Sequence, residues 1–164
     1  MASGRAPAHD ARMRLLAAAL LLVVALTPAT LADERVHAPS GLTYDVVPPT
    51  GWDGEEPVEV LVCLHGSGDR VETFRRALKV VVPGARRFLR VIVQSPDAQG
   101  WPSSAVDGVA ALTSEVRAAH PGQGVFVFGY SAGGSMATAC VFQRPDLFEG
   151  AVVAGAIAAR QPPN

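Results

Sequence analysis

The sequence predicts an α/β fold: a mainly parallel sheet with helices on both faces. Three observations carry this. Apolar runs of strand length alternate with segments whose apolar residues recur every three or four positions. Val125–Phe128 is apolar at every position, as a central parallel strand covered on both faces must be. Gly129-Tyr130-Ser131-Ala132-Gly133 then joins that run to a helical pattern at a spacing suited to a very sharp strand-to-helix turn. Parallel neighbours need crossovers, and right-handed crossovers place helices on both faces.

Residues 1–32 read as an export signal, which makes the location secreted or periplasmic. Arg5, Arg12 and Arg14 precede a 12-residue apolar run, Leu15–Leu26; Thr27-Pro28 breaks it, and Thr30-Leu31-Ala32 offers small residues at a cleavage site. Met13 is an alternative start, and a buried helix is the alternative reading of the run. A bilayer span needs about 20 apolar residues, so no stable membrane anchor is expected. Residues 33–164 are then one partial domain. They carry 11 Arg and Lys against 14 Asp and Glu, a net of −3, which argues against a nucleic-acid partner.

Within that domain, Leu42–Val47 reads as a strand and Pro48–Pro57 as an exposed link. Val58–Leu64 is a strand ending at His65-Gly66. Val71, Phe74, Leu78 and Val81 mark the inner face of a helix, and Leu89–Val93 is the next strand. Ser104-Ala105-Val106-Asp107 resembles a capping box opening a helix whose inner face is Val106, Val109, Thr113 and Val116, closed by Pro121-Gly122. After Val125–Phe128 come a helix over Ala132–Gln143, a last strand over Ala151–Ala156 and a structureless end at 161–164. That strand's exposed apolar edge predicts poor solubility. Cys63 and Cys140 read as two buried free thiols in preference to a disulfide. Arg75, Arg76, Lys79, Arg86, Arg87 and Arg90 form a basic cluster, read as a solvated helix face and loop in preference to an anion-binding patch.

The chemistry centres on Ser131. A sharp turn projects its oxygen beyond the carboxyl edge of the sheet, and the following helix aims its free amides at the same place. The amide of Ala132 is one candidate donor to a developing oxyanion. A second should come from the loop after an earlier strand, where His65-Gly66-Ser67-Gly68 lies; the Ser67 amide is the choice, with Gly66 next. Asp97 and Trp101 follow another strand at its carboxyl end, where ligands collect in such sheets, although a loop-structural role is favoured.

These stretches resemble the first two-thirds of an α/β-hydrolase domain, of the secreted esterase, polyhydroxybutyrate-depolymerase, feruloyl-esterase and phospholipase/carboxylesterase type. The similarity rests on Val60–Gly68, Ser95-Pro96-Asp97-Ala98 to Trp101, Phe128–Gly134 and Arg144-Pro145-Asp146-Leu147-Phe148, and extends from Leu42 to Ala156. It implies hydrolysis of a small-molecule or polymer ester through an acyl-enzyme, with no metal or organic cofactor, Ser131 as nucleophile, and Ser67 and Ala132 at the oxyanion hole.

The pattern also implies an acid and then a histidine after the nucleophile. Asp146 and Glu149 are the only acids there and are poor matches, and His9, His37, His65 and His120 all lie upstream. His65 is expected to shape its loop, His120 to lie at the wrong edge of the sheet, and His37 to lie in the link after the signal. The sequence therefore reads as a C-terminally truncated esterase. The alternatives are a non-catalytic secreted binding module or vestigial hydrolase-fold protein, and a chain completed by another.

Overall fold

Helix-forming and strand-forming segments alternate in the computed structural model, which describes residues 35–120, 122 and 124–156. In order they are β1 (Arg35–Val36), β2 (Thr43–Val47), β3 (Val60–Leu64), α1 (Val71–Val81), a 3-10 helix (Pro83–Arg87), β4 (Leu89–Val93), α2 (Ala105–Ala119), β5 (Val125–Tyr130), α3 (Ala132–Gln143) and β6 (Gly150–Ala154). The strands form one sheet in the order β1-β2-β4-β3-β5-β6. β2 is antiparallel to both its neighbours, while β4, β3, β5 and β6 run parallel. The export-signal expectation and the structureless end fall outside the described residues.

Side chains alternate across a strand, so the apolar runs feed two cores. Val60, Val62 and Leu64 of β3, with Val91, Val93, Val125 and Val127, pack under α2 and α3. Leu61 and Cys63, with Ile92 and Phe128, pack under Val71, Phe74 and Leu78 of α1. Thr113 and Thr138 are buried inside helices because each hydroxyl returns a hydrogen bond one turn back, to the carbonyls of Val109 (2.6 Å) and Gly134 (3.0 Å).

Several expectations need correction. β1 was not foreseen; two residues are too few for periodicity to register. β3 starts at Val60, because Val58 and Glu59 lie ahead of the ladder. β5 runs on through Gly129 and Tyr130, which pair with Val153 and Ala154 of β6. The capping box at Ser104 does not form. Ser104 is itself in the right-handed helical region (φ −64°, ψ −16°), and the first amides instead bond to Pro102 and Ser103 in a tight turn. Val81 is 60% exposed, since among the described residues nothing covers that shoulder of α1.

The basic cluster is not one patch. Arg75 pairs with the buried Asp45 carboxylate at 3.0 Å, and Arg90 is buried within β4. Among the described residues β6 is the edge strand beyond β5, with Val152 60% exposed.

Cys63 and Cys140 are free and buried in opposite cores, which rules out a bond between them. Burial pushes each thiol up to about 12. The protonated form is therefore favoured by folding: this contribution is fully present below pH 9 or so, and lost as pH climbs toward 12. Stability should fall by about 1.4 kcal/mol per thiol per pH unit in that window. Chemical denaturation between pH 8 and 11 checks this against Cys63→Ala and Cys140→Ala. Neither thiol should react with a disulfide reagent until the protein unfolds.

Candidate active site

β5 hands the chain to α3 within one residue. The Ser131 amide still extends the sheet, donating to the Ala154 carbonyl at 2.8 Å, while the Ser131 carbonyl already accepts from Gly134 (2.8 Å) and Ser135 (3.3 Å) in the first helical turn. To serve both, Ser131 adopts φ 51° and ψ −120°, the only positive φ at a non-glycine among the described residues. Such strain costs on the order of 1–3 kcal/mol and persists only where the surroundings enforce it. The surroundings here are backbone. A Cβ on Gly129 would stand 2.1 Å from the Gly133 carbonyl oxygen, and one on Gly133 would stand 2.1 Å from that of Leu64, so α3 is seated directly on the end of β3.

The Ser131 side chain makes no capping bond to the helix it opens. As the first residue of α3, Ala132 has an amide with no intrahelical acceptor. Against this turn lies the loop after β3. The position a Gly66 Cβ would take is 3.3 Å from both Ser131 Cβ and Tyr130 Cδ1. The next residue, Ser67, is held to the loop after β4: its hydroxyl donates to the Gln99 carbonyl at 2.9 Å, and the Gly68 amide donates to Ala98 at 2.9 Å. A Cβ on Gly100 would lie 3.2 Å from Ser67 Oγ and 3.5 Å from Ala132 Cβ. Ser131, Ala132 and Ser67, chosen from sequence, thus come together where three strands end.

Residues 95–164 match the family described as serine aminopeptidase, S33. Among solved structures, an acetyl xylan esterase from Aspergillus awamori is 16% identical with a TM-score of 0.64, over 79% of this chain and 53% of its own. The peroxisomal α/β-hydrolase Lpx1 of Saccharomyces cerevisiae is 20% identical with a TM-score of 0.56, over 85% of this chain and 44% of its own. A carboxylesterase from Mesorhizobium loti is 16% identical with a TM-score of 0.55, over 79% of this chain and 68% of its own. The chain shares the fold of these α/β-hydrolases. It spans about half the length of the first two of these structures. No curated protein matches its sequence.

Within this fold His65 is a brace. It is buried, and its Nε2 accepts from the Ser95 amide at 3.0 Å and faces Gln94 Nε2 at 3.0 Å. A ring nitrogen that accepts an amide proton is unprotonated, so the proton sits on Nδ1 and is donated to the Gly66 carbonyl at 2.7 Å. Trp101 Nε1 donates to the His65 carbonyl at 2.8 Å. Ser95 Oγ donates to the carbonyls of Asp97 (2.9 Å) and Gly100. Asp97 receives the Gln99 amide on its carboxylate at 2.8 Å and the Gly100 amide on its carbonyl at 3.2 Å. Asp97 and Trp101 therefore build the loop. Gln94 and Ser95 were missed as members of this brace; their position just past the end of β4 was the available signal.

The other candidates lie elsewhere. His37, expected in the link after the signal, is buried, with Nδ1 2.5 Å from Ser40 Oγ and Nε2 3.2 Å from Glu115, which clasps the N-terminal hairpin to α2. His120 stacks edge-on against Trp52 at 5.6 Å, past the end of α2. Asp146 is bound by Arg144 at 2.9 Å beyond the far end of α3, and that hydrogen bond holds its carboxyl below the usual carboxylate range. The backbone of Glu149 bonds to Val125, at the start of β5 and so the far end of that strand from Ser131. Among the described residues no group of His, Cys, Asp or Glu could hold a metal ion.

Ser131→Gly should relieve the backbone strain and Ser131→Ala should not. Urea denaturation is expected to find the glycine variant the more stable by about 1 kcal/mol. Trp101→Phe keeps the ring and loses the bond to His65, and should cost about 1 kcal/mol in the same assay.

Proposed function

We propose that this chain is the nucleophile-bearing part of a serine hydrolase acting on esters through an acyl-enzyme. The observation that carries the reading is Ser131: its backbone is strained, its hydroxyl leaves the helix uncapped, and Gly66 packs close beside it with no side chain of its own. In this mechanism Ser131 Oγ attacks the ester carbonyl carbon. The charge that develops on the carbonyl oxygen is met by the Ala132 and Ser67 amides and by the first turn of α3. Loss of either donor would cost about 3–4 kcal/mol of transition-state stabilisation. The alcohol leaves, and water releases the acid from Ser131. The carboxylester-hydrolase choice is supported by the motif resemblance and by neighbours whose names include an acetyl xylan esterase and a carboxylesterase. The export signal read in residues 1–32 puts the reaction outside the cytoplasm.

The general base is not among the residues placed at the site, because both nitrogens of His65 are engaged in bracing the loop. The 164-residue polypeptide alone is expected to turn over about a millionfold more slowly than an enzyme with a complete triad. A fluorophosphonate reagent attacks without needing turnover. Slow labelling confined to Ser131, abolished in Ser131→Ala, is expected by peptide mass spectrometry. A label on another serine, or none after long incubation, would count against the reading.

A further inference from the structure

A cavity of about 280 Å³ lies between α1 and β5, one residue from Ser131. Its floor is aromatic and aliphatic: Phe74 and Phe128, stacked with centroids 6.1 Å apart, and Leu78. Asp69, Thr73 and Tyr130 also line it. Tyr130, which lines the cavity, immediately precedes the serine, and Gly66 packs between Ser131 and two of the lining residues. The position of a Gly66 Cβ is 3.3 Å from Ser131 Cβ, 3.3 Å from the Tyr130 ring and 3.6 Å from Asp69 Oδ2. Asp69 is anchored through its main chain: its amide donates to the Gly66 carbonyl at 3.3 Å, and its carbonyl accepts from Gln94 at 3.4 Å. Its carboxylate joins none of the ion pairs among the described residues, which are His37 with Glu115, Arg75 with Asp45 and Arg144 with Asp146.

A carboxylate over an aromatic floor selects by charge. A plain alkyl group filling the cavity would strip water from Asp69 and return no partner, which is unfavourable. An anion would be repelled. An alkylammonium group answers both features, pairing with Asp69 while its methyl or methylene groups rest against the rings of Phe128 and Tyr130. We propose that this cavity is a subsite for an organic cation, so that the ester substrates are ones carrying an ammonium group close to the scissile bond. This rests on the reading of Ser131 as the nucleophile.

The test uses the 164-residue chain and benzyltrimethylammonium, with neopentylbenzene as its uncharged isostere. In amide NMR the cation should shift the signals of Asp69, Thr73, Phe128 and Tyr130, and bind at least tenfold more tightly than the isostere. Asp69→Asn should erase the difference and Asp69→Glu should keep most of it. Thr73→Lys, at an exposed rim position, should abolish binding of the cation without depending on Asp69. Equal affinities for the two probes, or shifts confined to another surface, overturn the subsite even where Ser131 is labelled. Binding by the cation that leaves the rate of Ser131 labelling unchanged overturns its link to the reaction. Ser131→Ala should bind the cation as the wild type does, so a failure of the nucleophile reading is seen separately in the labelling experiment.

Discussion

The structure depends on one backbone contact, the seating of α3 on the carboxyl end of β3. Gly133 meets the Leu64 carbonyl so closely that no side chain fits between them. That contact fixes where the helix begins, and the pairing of β5 with β6 through the Ser131 amide fixes where the strand ends. One residue is left to connect the two, and it takes a conformation that an L-residue otherwise avoids. The uncapped, half-buried Ser131 side chain stands at that junction.

The opposite wall is organised by polar bonds. His65 accepts a backbone amide from the loop after β4, donates to its own loop through Gly66, and offers its carbonyl to Trp101. Ser67 reaches the same loop through Gln99. Buried hydrogen bonds of this kind strengthen one another in a low dielectric and hold loops to a single arrangement. These bonds tie the loop after β3 to the loop after β4 beside Ser131. The brace also explains why the histidine nearest the nucleophile is not free to act on it.

Much of this was legible from residue patterns. The strand alternation of Val60–Leu64 and the double-sided apolarity of Val125–Phe128 follow from side-chain periodicity, which is local. The glycines around Ser131 announce the turn because a side chain would collide there. Ends were less legible. Ser104 has the residue type of a cap and does not cap, because the preceding turn had already bent the chain into helical geometry. Val81 fits the helical period and is exposed, because periodicity describes a face and not the length of the element covering it. His37 carries no local sign of burial; only the approach of Glu115, 78 positions away, makes it a clasp.

The sequence by itself determined the α/β architecture, the position of the sharp turn and the serine on it, since each is encoded within a few neighbouring residues. The tertiary structure alone decided the partners of that serine. The Gly66 face, the Gly100 loop and the Asp69 carboxylate arrive from strands and loops distant in the chain, and their distances from Ser131 are set by sheet order and helix packing. Local pattern cannot encode that order, because pairing between strands depends on how the whole core closes.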